Sequence, residues 1–357
     1  MTGQRINFNT NSSHLKDFHM LARFRPDNFT LALLGTVALA SIFPARGSFA
    51  DGFAVATDIA IGLLFFLHGA KLSRSTVVAG LSHWRLHLVV FGTTFIIFPI
   101  LGLATHLLVP TLLTPAFYAG VLFLCVLPST VQSSIAFTSI AGGNVAAAIC
   151  SASASNILGM FLTPLLVGLL FHAQGNGFSI QALESILLQL LVPFIAGQIV
   201  QPWIGRWMEK HRRMLGFVDR GSILMVVYLA FGEAIVAGLW HRLSPESFAV
   251  MVLVDMLLLA MVMLITTYGS RLLGFNKADE ITIVFCGSKK SLASGVPMAN
   301  VIFAGQDIGG IVLPLMLFHQ IQLMVCAYIA RRYAAKKQQA AAAISAASQQ
   351  PEMVYGE

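Results

Sequence analysis

Charged side chains are the scarcest ingredient of this chain: Asp, Glu, Lys and Arg make up 10% of its 357 residues, against 57% hydrophobic ones. A soluble globule needs far more charge on its surface, so the composition leaves an all-α polytopic membrane protein. Cysteine is equally thin. Cys125, Cys150, Cys286 and Cys326 show no CxxC or metal-ligand spacing, and they read as small apolar packing residues rather than as a disulfide or metal framework. Neither HExxH nor GxSxG stands in any apolar block, so an enzyme is not expected. The first 28 residues lack a continuous apolar core, and no cleaved signal peptide is expected.

What the chain does have is apolar length. Ten blocks recur, at 29–45, 53–70, 86–108, 116–141, 145–172, 180–202, 221–240, 247–273, 279–303 and 308–330. About 20 helical residues cover the roughly 30 Å hydrocarbon core of a bilayer, so the longer blocks suit transmembrane helices.

The net charge of +7 does not imply a nucleic-acid partner, because the basic residues fall in alternate loops instead of one patch. Eighteen of them lie before block one or at and beyond the ends of the even-numbered blocks, Arg271 at the end of block eight among them, and only Arg46 and Arg242 lie in the other loops. The positive-inside rule then places both termini in the cytoplasm, with an even number of spans, and the composition suits a bacterial-type inner membrane. The expected division is a cytoplasmic segment at 1–28, five-helix units at 29–173 and 174–335, and a disordered tail at 336–357 that begins as a frayed helix end.

Five spans per half force the second half to enter the membrane inverted. The fourth span of each half is also the odd one. Pro128-Ser129-Thr130-Val131-Gln132-Ser133-Ser134 interrupts the first, and Gly287-Ser288-Lys289-Lys290-Ser291 interrupts the second. Proline removes a backbone donor and glycine loosens a helix, so each segment is expected to break into half-helices. Irregular backbone at membrane depth survives only where protein buries it or where it lines a wet cavity. Half-helix N-termini suit an anion, and free carbonyls and hydroxyls suit a small cation.

Lys289 and Lys290 sit near mid-block in the apolar stretch 281–303. An intramembrane ionisable residue marks a functional site by default. Glu233, inside block seven, is the expected counter-ion, with a structural glutamate as the alternative. Asp58, Glu184 and Asp255 read as structural, and His319, Gln320 and Gln322 as satisfied helix contacts.

These residues resemble the bile acid:sodium symporter family. The likeness rests on Leu64-Phe65-Phe66-Leu67-His68-Gly69-Ala70-Lys71-Leu72, on Phe98-Pro99-Ile100-Leu101-Gly102, on 128–134 followed by Gly143-Asn144-Val145-Ala146, and on 282–292. It implies two inverted repeats, a panel domain of spans 1, 2, 6 and 7, a core domain of the rest, and spans four and nine crossing at their breaks. It also implies a departure. The family's sodium-site acid falls here on Phe285, its two amides on Lys289 and Lys290, its span-three glutamine on Thr94, and two span-five hydroxyls on Ala148 and Ala152. The sodium cage is largely gone, although Ser133, Ser134 and Asn144 keep oxygens.

An ammonium standing where a sodium ion sits supplies the same charge while tethered. It also repels a second cation by about 4 kcal/mol at 4 Å and an effective dielectric of 20. The expected function is therefore transport of a small organic anion by alternating access, without sodium and without a cofactor, with proton coupling through a desolvated lysine left open. The expected site comprises Lys289, Lys290, Ser288, Ser291, Gln132, Ser133, Ser134, Asn144, Thr94 and Glu233, with no metal. A sodium-coupled symporter and a regulatory membrane protein that carries no solute are the rivals. The solute and the oligomeric state stay open.

Overall fold

A computed structural model describes residues 28–71, 83–172, 180–236, 238, 244–304, 306 and 308–348. All regular structure among the described residues is helical: α1 (Asn28–Ile42), α2 (Gly47–Lys71), α3 (Trp84–Leu108), α4a (Pro115–Val126), α4b (Gln132–Ala141), α5 (Val145–His172), α6 (Ile180–Lys210), α7 (Arg212–Val236), α8 (Pro245–Leu272), α9a (Lys277–Gly287), α9b (Leu292–Ile302) and α10 (Ile308–Ser348). Among the described residues, six helices are long and apolar enough to cross a membrane by themselves: α2, α3, α5, α7, α8 and α10. The chain is an all-helical, multi-pass membrane protein.

Its surface reverses the soluble pattern. On α8, Leu253, Met256, Leu257, Met261 and Leu264 are exposed at helical spacing, while Val254, Asp255, Leu258, Leu259 and Val262 are buried on the other face. An exposed apolar stripe at i, i+3, i+4 spacing is what a lipid-facing helix needs.

Helices α1, α2, α6 and α7 pack on one another, and α3, α4a, α4b, α8, α9a and α10 pack into a second group that α5 joins. Half-helix α9b touches α6 and α7 and so bridges the groups. The α8–α9a corner is tied by Glu280, which accepts from Arg271 at 3.1 Å and Lys277 at 2.5 Å.

Two boundaries differ from the sequence expectation. The basic stretch between blocks six and seven is helical, since α6 runs to Lys210 and α7 starts at Arg212. The expected disordered tail is helical through Ser348. Its Ala-rich run has the highest helix propensity of any residue, and so the helix propagates past the apolar span. The segment 1–27 and residues 349–357 lie outside the described residues.

Candidate functional site

Both interruptions are real breaks. Residues 127–131 separate α4a from α4b, and 288–291 separate α9a from α9b. The two breaks cross in contact, where the Ser291 N–H donates to the Pro128 carbonyl at 2.8 Å. The crossing needs small residues. A Cβ on Gly159 would lie 2.5 Å from the rigid Pro128 ring, so glycine lets α5 approach the break this closely, and one on Gly295 would lie 2.5 Å from the Leu127 side chain, which would have to shift.

Each half-helix that ends at the crossing leaves carbonyls without helical partners, and the opposite segment and α5 supply donors. On α9a, the Ser129 hydroxyl donates to the Cys286 carbonyl at 2.6 Å and the Ser134 hydroxyl to that of Phe285 at 3.1 Å. On α4a, the Thr163 hydroxyl donates to Val126 at 2.8 Å. Lys290 takes the rest: its ammonium donates to the carbonyls of Cys125 and Leu127, each at 2.7 Å.

A third carbonyl reaches Lys290 from α3. Residues Thr93–Ile97 form a π turn in which the Phe98 N–H reaches back to the Thr93 carbonyl. The next donor in that register would be Pro99, which has none. Thr94 therefore keeps a free carbonyl, and it accepts from the Lys290 ammonium at 2.8 Å. The Phe98 ring lies 4.1 Å from the same nitrogen.

The main chain of Lys290 is held as firmly. Its N–H donates to the Gln322 side-chain oxygen and its carbonyl accepts from the Gln322 amide, both at 2.9 Å. Gln322 in turn meets His319 at 2.9 Å.

Lys289 is held quite differently. It too is wholly buried, yet its ammonium has no hydrogen-bond partner among the described residues. It rests 3.8 Å from the centroid of the Phe137 ring on α4b and 5.9 Å from that of Phe285.

Beside the crossing lies a cavity of about 1060 Å³. Its walls come from α1, α2 and α7 on one side and from α4b, α9b and α10 on the other. Thr130, Gln132, Ser133 and Phe137 line it, as do Ser291 and Ser294 at the start of α9b. Ser291 caps α9b by accepting from the Ser294 N–H, whereas no side chain caps α4b. Arg220, Arg331 and Arg332 line the same space.

The expected site residues therefore separate. Lys289, Lys290, Ser288, Ser291, Ser133, Ser134 and Gln132 gather at the crossing or its cavity. Thr94 joins through its carbonyl, since its hydroxyl is bonded within α3 to Val90. Asn144 does not join. It caps α5 through Ala147, and it donates to Asp279 at 2.9 Å, at the opposite end of α9a from the lysines.

Glu233 does not join either. Its side chain is exposed on α7, whereas both lysines are fully buried, so it is no counter-ion to them. Asp255 on α8 is fully buried, and its two carboxylate oxygens have no hydrogen-bond partner among the described residues. Gln322 is the residue that sequence reasoning undervalued; its spacing of three from His319 was the available signal.

The two broken helices thus cross at the wall of a large cavity inside a multi-pass membrane protein. A model of the SBF-like CPA transporter family matches residues 27–335, and the chain belongs to that family: it is a transporter and not an enzyme. It is 59% identical over 315 residues to the Pseudomonas aeruginosa protein PA2026, covering 88% of this chain and 95% of that one. It is 57% identical over 307 residues to the Escherichia coli protein named "Putative symporter YfeH", covering 86% and 92%. Xenopus tropicalis "Sodium/bile acid cotransporter 7" is 29% identical over 316 residues, covering 86% and 91%.

Proposed function

We propose that the chain carries a small organic anion across the bacterial inner membrane by alternating access, with the Lys290 ammonium in place of a coupling cation. The reading takes the ten apolar blocks as spans, 29–173 and 174–335 as inverted repeats, and both termini as cytoplasmic. Helices α1, α2, α6 and α7 would form the frame against which the other group rocks.

The observation that carries the reading is the ligand set of Lys290. Three main-chain carbonyls, from Thr94, Cys125 and Leu127, converge on one point. Carbonyl oxygens released by broken helices are the ligands that carriers offer to small cations. Here a side chain of the protein fills that position and adds a permanent attachment between α9b, α3 and the C-terminal end of α4a, where the helix dipole favours a cation.

An anionic solute follows from what remains. The cavity meets the uncapped N-terminus of α4b and three arginines against one carboxylate, Asp219, which Lys71 already pairs, so its fixed charges favour negative groups. Its aromatic and aliphatic lining, with Phe29, Phe137, Leu323 and Tyr328, suits a solute with an apolar body.

The test is uptake by the purified chain in proteoliposomes, with radiolabelled carboxylates and sulfonates under sodium, potassium or choline gradients. Saturable uptake that is the same in all three salts supports the reading. A strict sodium requirement would replace it with a sodium symporter, and the absence of saturable uptake of any anion would replace it with a regulatory role.

A further inference from the structure

Resting on that transport reading, we infer that the Phe137 ring is a gate between the solute cavity and the Lys289 amine, and that the anionic group of the solute displaces the ring to bind Lys289. The solute class is narrowed to carboxylates, sulfonates, sulfates or phosphates whose head can enter beside the start of α4b.

Three observations meet at this ring. Phe137 lines the cavity and is half-buried. The same ring lies 3.8 Å from the Lys289 nitrogen. That nitrogen has no hydrogen-bond partner and no exposed surface.

A buried ammonium held against aromatic faces, with the thiols of Cys286 and Cys326 as its other neighbours, is incompletely compensated: a ring quadrupole attracts it, but a carboxylate at hydrogen-bond distance attracts it more. A solute oxyanion can supply what the ring does not. A ligand that binds one conformation better shifts the population toward it, so exchanging ring for solute would bias α4b, which carries Phe137, toward another position. Lys290 cannot serve in the same way, because three carbonyls already occupy its donors. The neighbouring lysines thus divide the work: one is a fixed cation and the other a covered receptor.

The experiment labels the full-length chain in detergent with trinitrobenzenesulfonate, an anionic amine reagent, and reads Lys289 and Lys290 separately by peptide fragmentation in a mass spectrometer. Phe137→Ala is expected to raise modification of Lys289 by about tenfold and to leave Lys290 unmodified, because only the former loses its cover. Phe137→Leu, which keeps bulk but removes the aromatic face, guards against misfolding and is expected to give an intermediate rate. Lys289 as protected in both monodisperse variants as in the parent would overturn the gate, whether or not anions are carried. A labelling change without saturable anion uptake would keep the gate and overturn the transport reading.

Discussion

Replacing Lys290 by methionine, a side chain of similar length without donors, separates the two lysines energetically. The change deletes three hydrogen bonds of 2.7–2.8 Å from a charged donor to buried carbonyls. Such bonds contribute about 1.5–3 kcal/mol each, so the gross loss is roughly 4.5–9 kcal/mol. Relief of the buried ammonium's desolvation returns several kcal/mol. The buried carbonyls of Thr94, Cys125 and Leu127 are left without that donor.

A net destabilisation of about 3 kcal/mol follows, the lower end of what removing one partner of a buried ionic contact does. Lys289→Met loses only an aromatic contact of about 2 kcal/mol and regains a similar desolvation term, so it should be neutral within about 1 kcal/mol or stabilising. The assay is reversible unfolding in mixed micelles, followed by tryptophan fluorescence. Equal stabilities for the two variants, or the reverse order, would refute the argument that Lys290 alone is coordinated.

Further outcomes follow from the same geometry. Pro99→Ala supplies an N–H that competes for the Thr94 carbonyl, and it should lower unfolding stability by about 1 kcal/mol, the net value of one hydrogen bond. Gly295→Val places atoms inside Leu127 and should cost about 1–3 kcal/mol of overpacking, seen as a lower melting temperature together with lost uptake. Glu233→Gln should change stability by less than about 0.5 kcal/mol and show no coupling to Lys289→Met in a double-mutant cycle.

How much of this was legible in the sequence depends on whether a residue acts through its side chain. The breaks were visible because Pro128 and the Gly287-to-Ser291 run violate helical chemistry in matching positions. The lysines were visible because charge is rare at that depth. The π turn in α3 was not, since the role of Thr94 is its carbonyl, freed by Pro99 five residues on, and no property of threonine announces that.

Facing was also hidden. Glu233 and Asp255 are single acids in apolar runs, and only packing decides that the first is exposed and the second buried. Asn144 carried a motif-like appearance at Gly143-Asn144-Val145-Ala146, yet the pattern reflects a helix cap and a tie to Asp279. Gln322 looked like an ordinary interhelical amide because its partner is main chain, the N–H and carbonyl of Lys290.

The central claim is that a tethered ammonium fills a cation position, and sodium-dependent thermal stabilisation tests it most directly. Purified parent protein should melt at the same temperature in sodium and in N-methylglucamine chloride. Lys290→Ala, which empties the three-carbonyl site, should melt lower and regain part of the loss in sodium. A parent protein that is itself stabilised by sodium, with Lys290→Ala responding no more strongly, would contradict the account.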